Sequence, residues 1–182
     1  MARRYAAFLR GINLGGRRVS GADLAAAFER AEGISAAAPF IASGNVVFED
    51  GTRRRPAGIA AAIESAIEES FGWQSKVFLR AGEQLAALAA LEPFSAEQLS
   101  ASSGKPQIIL FEDEIPKPKA RQAVALAPQG DLLVPGGSEL HWLPAAGLSD
   151  SDLDLKAIDR LLGTGTIRTA NTIKRLHAKH FA

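Results

Sequence analysis

Residues 9–18 read Leu9-Arg10-Gly11-Ile12-Asn13-Leu14-Gly15-Gly16-Arg17-Arg18, a polar and glycine-rich stretch between an apolar strand candidate at 4–10 and a helix candidate. Glycine in regular structure costs roughly 0.5–1 kcal/mol relative to alanine, so three glycines in six positions indicate a turn that needs unusual backbone angles. Backbone N–H groups in such a turn, together with the neighbouring guanidinium groups, are suited to binding an anion. The stretch therefore predicts an anion-binding turn at the end of the first strand.

The composition is that of a globular protein with one domain or two small ones. The 182 residues are 47% hydrophobic and 23% charged, which provides enough apolar material for a real core. No cysteine is present, which excludes disulfides, thiol chemistry and cysteine metal sites. The apolar run after Arg3-Arg4 is too short for an export signal, and no segment approaches the length of a membrane span. We expect a cytoplasmic protein with no membrane partner.

The net charge of +1 hides an uneven distribution of charged residues. Residues 1–20 and 164–182 contain nine of the 21 basic residues and none of the 20 acidic ones. Positive charge is therefore concentrated near both ends of the chain. It forms either a shared basic site or two separately solvated basic segments.

The pattern of the first half predicts the order strand, helix, strand, strand, helix, strand. Ser20 and Asp23 have the spacing of a helix cap, and apolar residues then recur at helical intervals. Two extended segments joined by Ser43-Gly44 predict a hairpin. A second helix begins near Pro56, and a strand at 75–80 completes the unit. This is the order of a split βαβ, or ferredoxin-like, unit.

The same order begins again in the second half of the chain. The predicted elements are a strand at 107–112, a helix at 118–127, a hairpin around 135–137, a helix near 155–162, a strand at 164–168 and a final helix capped by Asn171 or Thr172. We therefore predict an α+β fold with two ferredoxin-like (βαββαβ) subdomains in tandem and an added C-terminal helix. The predicted boundaries are 1–80 and 105–182 for the subdomains and 81–104 for a helical connection.

This topology brings two turns together. In a split βαβ unit the first two strands are parallel and the third is antiparallel, so the end of the first strand and the hairpin lie at the same edge of the sheet. We expect the turn at 10–18 and the bend at 43–45 to form one polar pocket. The candidate ligand-binding residues are Arg10, Gly11, Asn13, Gly15, Gly16, Arg17, Ser43, Gly44, Asn45, Arg168 and Asn171.

The ligand expected at this pocket is anionic. A phosphate-bearing small molecule is one candidate, and a nucleic-acid backbone held without sequence readout is the other. The strands lack the aromatic and Gly-Phe signature of RNA-recognition modules. The hypothesis includes no cofactor.

Sequence motifs for catalysis and metal binding are incomplete. Gly11 and Gly16 have the spacing of the outer glycines in a Walker A loop, but Arg17-Arg18 replace the Lys and Ser/Thr that this loop requires. Ser43 has no base placed beside it by the sequence. We therefore predict neither nucleotide hydrolysis nor a serine nucleophile.

A histidine pair in the last predicted helix has a spacing that could hold a metal ion. His177 and His180 are one helical turn apart, but His141 is the only other histidine and no cysteine is present. A metal site would need carboxylates that the sequence does not place beside them. We expect no metal.

Three motifs also resemble a known family. Residues 9–16 read LRGINLGG, residues 43–48 read SGNVVF, and Thr166-Ile167-Arg168 is followed by Asn171-Thr172. In order and spacing these resemble the motifs of the domain of unknown function family 1697, over nearly the whole chain. The resemblance implies a two-part α+β fold and no established activity.

The chain departs from the pattern of that family at several positions. The family usually has Gln where Ala42 stands. Its C-terminal motif usually reads Thr-Thr-Arg-Asn-Trp-Asn-Thr, with Ile167, Thr169 and Ala170 here at the second, fourth and fifth positions. A ligand that used that Gln, Asn or Trp would be bound differently by this chain or not at all.

Three classes of function follow from these observations. The first is a binding protein for an anionic ligand. The second is a transferase or hydrolase acting on a small polar substrate at the same residues. The third is architectural: Arg10, Asn13 and Asn45 would hydrogen-bond the connections that hold two subdomains or two protomers together. The sequence leaves the ligand, the existence of a reaction and the oligomeric state open.

Overall fold

Two four-stranded antiparallel sheets form the centre of the computed structural model, which describes residues 2–13, 15–41 and 44–182. The first sheet has the strand order β2-β3-β1-β4, and its strands are β1 (Arg3–Arg10), β2 (Ile34–Pro39), β3 (Asn45–Asp50) and β4 (Lys76–Ala81). The second has the order β6-β7-β5-β8, and its strands are β5 (Gln107–Leu110), β6 (Leu132–Pro135), β7 (Glu139–Leu143) and β8 (Thr166–Thr169).

Seven helices accompany the sheets within these described residues. They are α1 (Gly21–Glu29), α2 (Pro56–Phe71), α3 (Gly82–Ala90), α4 (Ala96–Ala101), α5 (Lys117–Val124), α6 (Leu155–Leu162) and α7 (Ala170–His180). The predicted α+β fold class is confirmed. In the part of the chain that the structure describes, no helix combines the length and the apolar character needed to cross a membrane.

The chain divides into two compact units. The first contains the described residues up to Ala87 together with Leu176–Ala182, and the second is Leu88–Arg175. In the first unit, the Arg4 guanidinium donates a hydrogen bond to the carbonyl of His180 at 3.0 Å. The His180 ring also meets the Phe40 ring edge-on, with centroids 5.8 Å apart. The first unit is therefore built from two segments that are far apart in sequence.

The core of the first unit lies between its sheet and the helices α1 and α2. Phe28, Phe48 and Ile63 are fully buried there. The Phe28 ring meets Phe48 edge-on at 5.7 Å, and Tyr5 stacks on Phe48 at 5.8 Å. Burial of each such side chain contributes about 1.5–3 kcal/mol, which holds both helices on the sheet.

The core of the second unit lies on one face of its sheet. Ile109, Leu140 and Trp142 pack there with Ile158 of α6. Because side chains alternate along a strand, His141, which lies between Leu140 and Trp142, is on the opposite face. His141 pairs with Ile108 of β5. Its imidazole therefore lies on that opposite face, beside β5.

Asp131 joins three segments of the second unit. Its carboxylate accepts hydrogen bonds from Trp142 Nε1 at 2.8 Å, from the backbone N–H of Ala145 at 2.9 Å and from Ser151 Oγ at 2.6 Å. Only 8% of Asp131 is exposed. This carboxylate therefore fixes the start of β6, the end of β7 and the segment before α6 relative to one another.

The final helix starts earlier than the predicted cap at Asn171 or Thr172. Neither Asn171 nor Thr172 caps α7. The helix begins at Ala170, and Thr169 Oγ1 accepts a hydrogen bond from the backbone N–H of Thr172 at 3.1 Å. A hydroxyl three residues before that N–H is in the right place to cap it, so Asn171 lies exposed in the first turn instead.

Asp50 ties the end of β3 to the start of β1. Its buried carboxylate accepts hydrogen bonds from the Arg3 guanidinium at 2.7 Å, from Thr52 Oγ1 at 2.6 Å and from the Thr52 backbone N–H at 3.0 Å. Burial alone would raise the pKa of Asp50, but the hydrogen bonds from Thr52 and Arg3 outweigh it and hold this pKa below its ordinary value. The ionised form is thus the one that stabilises the fold.

We expect Asp50→Asn to lower the free energy of unfolding by about 1–3 kcal/mol at pH 7, because a charged acceptor of three hydrogen bonds is lost. Since the pKa of Asp50 is lower in the folded state than in the unfolded chain, its contribution is complete above about pH 4 and is lost as the pH falls through the folded-state pKa. Urea unfolding at pH 7 and pH 3 measures this, with the exposed Glu69→Gln as control. An equal deficit of Asp50→Asn at both pH values would contradict the prediction.

Candidate functional site

The end of β1 meets the bend between β2 and β3 at one edge of the first sheet. Phe8 pairs with Asn45 across the two strands, and the backbone N–H of Leu9 donates to the carbonyl of Gly44 at 2.8 Å. The expected adjacency of these two turns is confirmed. Ser43, a member of the candidate site, lies outside the described residues, as do Ala42 and Leu14.

Gly44 is packed too closely for any other residue. Its φ of +70° is in the left-handed region, and a Cβ built there would lie 2.9 Å from Ile12 Cγ2 and 3.2 Å from Leu9 Cβ. Ile12 belongs to the glycine-rich turn and is itself buried. The bend and the turn are therefore in direct contact, and glycine at this position is what permits that contact.

The glycine-rich turn has the backbone that its sequence predicts. Gly11, Gly15 and Gly16 have φ values of +85°, +62° and +83°. Asn13 Oδ1 accepts a hydrogen bond from the backbone N–H of Val19 at 3.0 Å, which ties the turn to the segment that leads into α1. The side chain of Asn13 thus has an internal role, while Gly15 and Gly16 are exposed.

Arginine side chains flank the turn on both sides. Arg10 and Arg17 are exposed, and so is Arg18. The guanidinium of Arg17 lies over the Trp73 ring, 4.9 Å from its centroid. This contact uses the flat face of the guanidinium and leaves its N–H groups in the plane of the group, where they can meet an anion.

Trp73 is a residue of this edge that sequence reasoning missed. It stacks on Phe71 with centroids 5.5 Å apart, and two residues further on Ser75 Oγ donates to the carbonyl of Arg10 at 2.9 Å. The antiparallel pairing of Arg10 with Lys76 places the start of β4 beside the end of β1. The predicted strand order contained this signal, because it makes the first and fourth strands neighbours.

Asn45 serves the bend itself. The residue is fully buried, and its Nδ2 donates to the carbonyl of Phe40 at 3.0 Å. The backbone N–H of Phe40 donates in turn to the carbonyl of Asn45 at 2.8 Å. These two bonds close the bend from the inside, so the amide of Asn45 faces the protein and not the solvent.

The backbone of Ile41, which precedes the bend, has an unexpected conformation. Ile41 has a φ of +58° and is 48% exposed. A β-branched residue rarely adopts this backbone region, because its side chain is crowded there. The edge therefore also presents an apolar side chain that no sequence pattern predicted.

Arg168 and Asn171 belong to the second unit. The guanidinium of Arg168 donates to Thr166 Oγ1 at 2.9 Å and to the carbonyl of Ile167 at 2.7 Å. Burial lowers the pKa of Arg168 to about 10, so the group is still cationic at neutral pH. These two candidate residues are described within their own unit, and their part in an anion site remains a prediction.

The histidine pair of α7 has aromatic neighbours. His177 stacks on Phe181 with centroids 6.5 Å apart. Burial and the neighbouring charges of Lys179 and Arg4 lower the pKa of His180. Among residues 2–13, 15–41 and 44–182, no three His, Asp or Glu side chains are grouped closely enough to hold a metal ion.

The model of the family described as "Protein of unknown function (DUF1697)" matches residues 2–141. The chain belongs to the DUF1697 family. The resemblance drawn from the motifs is therefore confirmed. The match covers the glycine-rich turn and the bend at 43–45, which places both of them in the DUF1697 part of the chain, whereas Arg168 and Asn171 lie beyond it.

The DUF1697 chain is also similar to a solved structure. That structure is described as the conserved bacterial protein SP0830 from Streptococcus pneumoniae. The two share 17% sequence identity with a TM-score of 0.69, and the similarity covers 98% of each chain. At this identity the likeness shows a shared fold. No curated protein matches the chain.

Proposed function

We propose that the protein binds an anionic, phosphate-bearing ligand at the edge of the first sheet where β1 ends, with a small molecule or a nucleic-acid backbone as the source of the phosphate. The observation that carries the proposal is the contact between the glycine-rich turn and the bend, made by the Leu9–Gly44 hydrogen bond and the packing of Gly44 on Ile12. This contact supports a turn that is held in one position and flanked by the exposed Arg10 and Arg17. Arg10, Arg17 and the backbone of residues 11–13, 15 and 16 would contact the ligand.

The geometry of the turn favours close approach of an anion. A Cβ at Gly15 or Gly16 would have no other heavy atom within 4 Å, so the space beside the backbone is open there. Phosphate oxygens accept hydrogen bonds from backbone N–H groups in such turns and from guanidinium groups in pairs. Residues 1–20 contain no carboxylate that would repel the ligand. The positive charge and the open backbone at this edge therefore both favour an anionic ligand.

We expect Arg10→Ala with Arg17→Ala to weaken phosphate binding at least about tenfold, since each guanidinium supplies a charge-assisted contact. Titration calorimetry with ADP, ribose 5-phosphate and a single-stranded RNA 12-mer measures the change. Binding to RNA alone would identify a nucleic-acid backbone as the source of the phosphate. Arg53→Ala is the matched control, because Arg53 is also exposed but follows the other end of β3.

Two results would count against the anion site. If the wild-type protein binds none of the three probes, the proposal is wrong. If Arg53→Ala weakens binding as much as the double variant, the protein has only a general attraction between its positive charge and anions. Raised salt concentration should weaken the specific binding as well, because every phosphate contact releases counterions.

An architectural role is the second candidate, and it is supported by the asparagine contacts. Asn13 bonds the backbone of Val19, and Asn45 bonds the backbone of Phe40. Both amides hold the shape of a turn rather than face a ligand. The architectural role can be combined with the anion site. The two asparagines would then shape the edge, while the arginines and the backbone of the turn would contact the anion.

We further propose that both units have the ferredoxin-like topology. The strand orders β2-β3-β1-β4 and β6-β7-β5-β8 support it, as does the antiparallel pairing of every neighbouring pair of strands. In each unit one helix follows the first strand and one follows the third, as the βαββαβ order requires.

A further inference from the structure

A cavity of about 230 Å³ lies within the second unit. Of the residues that the structure describes, those lining it include the predicted ligand-binding residue Asn171 but neither Arg10 nor Arg17. Most of its wall is apolar and comes from the segment between α3 and α4, the start of β5 and the first turn of α7. The apolar wall includes Leu88, Leu91, Phe94, Leu99, Ile108 and Ala170. A ligand pocket for a typical cofactor is larger than about 300 Å³, so this cavity suits a small molecule.

One buried polar side chain of this cavity has a ring nitrogen with no hydrogen-bond partner among the residues that the structure describes. His141 is 2% exposed, and its Nε2 makes no hydrogen bond to any residue that the structure describes. The alternation along β7 puts His141 on the sheet face opposite the core of Trp142. A buried polar atom in a native protein normally has a hydrogen-bond partner, and leaving it without one is costly. The missing partner therefore points to a molecule other than this chain.

The charge around the cavity indicates what kind of molecule it is. Burial lowers the pKa of His141, and the opposing effect of Glu139 is smaller, so the imidazole is neutral at physiological pH. A neutral imidazole offers one donor and one acceptor. The charged residues of the wall, Lys174 and Glu92, form an ion pair with each other. No uncompensated charge thus faces the cavity from these three side chains.

We propose that this cavity binds a small uncharged molecule with an apolar body and one hydroxyl-type hydrogen-bonding group, which pairs with Nε2 of His141. The apolar wall holds the body of the ligand by excluding water from it, and the imidazole fixes its orientation. This inference is independent of the anion proposal, because it does not use Arg10, Arg17 or the glycine-rich turn. Either proposal can fail without the other.

A matched pair of probes tests the hydrogen bond. 4-Fluorophenol and 4-fluorotoluene have nearly the same size and differ in one hydroxyl group, and ¹⁹F NMR titration of the full chain measures the affinity of each. In His141→Phe, which keeps an apolar ring and removes Nε2, we expect the preference for 4-fluorophenol over 4-fluorotoluene to fall about tenfold. Ala170→Trp fills the cavity from the first turn of α7, so we expect it to abolish binding of both probes.

A third measurement needs no variant of the cavity. In the ¹⁵N-labelled wild-type protein, 4-fluorophenol should shift the Nε2 resonance of His141 and leave those of His177 and His180 in place. The proposal is overturned if neither probe binds the wild-type protein, if His141→Phe leaves the preference unchanged, or if Ala170→Trp binds both probes as before. Should Ala170→Trp fail to fold, the preference in His141→Phe and the ¹⁵N shift decide the question.

Discussion

Replacing Asp131 with alanine is expected to lower the free energy of unfolding of the second unit by about 3–5 kcal/mol. The carboxylate accepts three hydrogen bonds, from Trp142 Nε1, Ala145 N and Ser151 Oγ. Alanine leaves the indole N–H of Trp142 buried without an acceptor, since Trp142 is only 1% exposed. The loss of a charged acceptor and the cost of that unpaired donor act in the same direction.

Urea unfolding followed by tryptophan fluorescence measures this effect. The chain has two tryptophans, Trp73 in the first unit and Trp142 in the second, so Trp73→Phe leaves Trp142 as the reporter. Asp131→Asn keeps one acceptor oxygen and should lose less than Asp131→Ala. The exposed Asp152→Ala should change the free energy by no more than about 0.5 kcal/mol. A loss in Asp131→Ala no larger than that of Asp152→Ala would refute the role assigned to Asp131.

Asn45→Ala is expected to cost about 2–3 kcal/mol in the first unit, because it removes a buried hydrogen bond and leaves a small cavity behind. The Nδ2 of Asn45 donates to the carbonyl of Phe40, and Asn45 is fully buried. Without this bond, the bend keeps the backbone hydrogen bond from Phe40 to the carbonyl of Asn45 but loses the bond that the buried side chain makes. The glycine-rich turn that packs on the bend should become less ordered as a consequence.

The matched comparison is Asn13→Ala, in which an exposed amide loses its bond to the backbone of Val19. We expect a cost below about 1 kcal/mol there, since water can replace the amide. Thermal unfolding of both variants distinguishes the two asparagines. If Asn45→Ala melts like the wild-type protein, Asn45 does not have the architectural role that its contacts indicate.

Much of the fold could be predicted from the sequence because its signals are local. Pro56 and Ser95 mark helix starts that the structure contains, with Pro56 at the first helical position of α2 and Ser95 in a capping box with Gln98. The hairpins follow from apolar strands interrupted by glycine. The predicted cap of α7 is wrong because Thr169, Asn171 and Thr172 are all residue types that cap helices, and only the path of the chain out of β8 selects among them.

The candidate site was predictable at the level of the backbone. Strand order alone requires the turn after β1 to lie beside the bend before β3, and the Leu9–Gly44 hydrogen bond shows that it does. The directions of side chains were not predictable in the same way. Asn45 follows Ser43-Gly44, which predicts an exposed turn residue. Its amide points inward instead, because it donates a hydrogen bond to the carbonyl of Phe40.

The cavity beside His141 had no sequence signal at all. Its wall combines residues from segments more than seventy positions apart, such as Leu88 and Asn171, and none of them forms a motif. In the sequence, His141 stands out only as the third histidine besides His177 and His180. That Nε2 has no partner within the described part of the chain is a property of packing, which becomes visible only in the folded structure.

The two-segment construction of the first unit has a consequence for synthesis on the ribosome. The strands of its sheet emerge first, but Leu176–Ala182, which belong to the same unit, leave the exit tunnel only after every residue of the second unit. Until then, Arg4 and Phe40 lack the contacts that they make with His180. The nascent N-terminal unit must therefore wait in an incomplete state while the other unit already has all of its own residues.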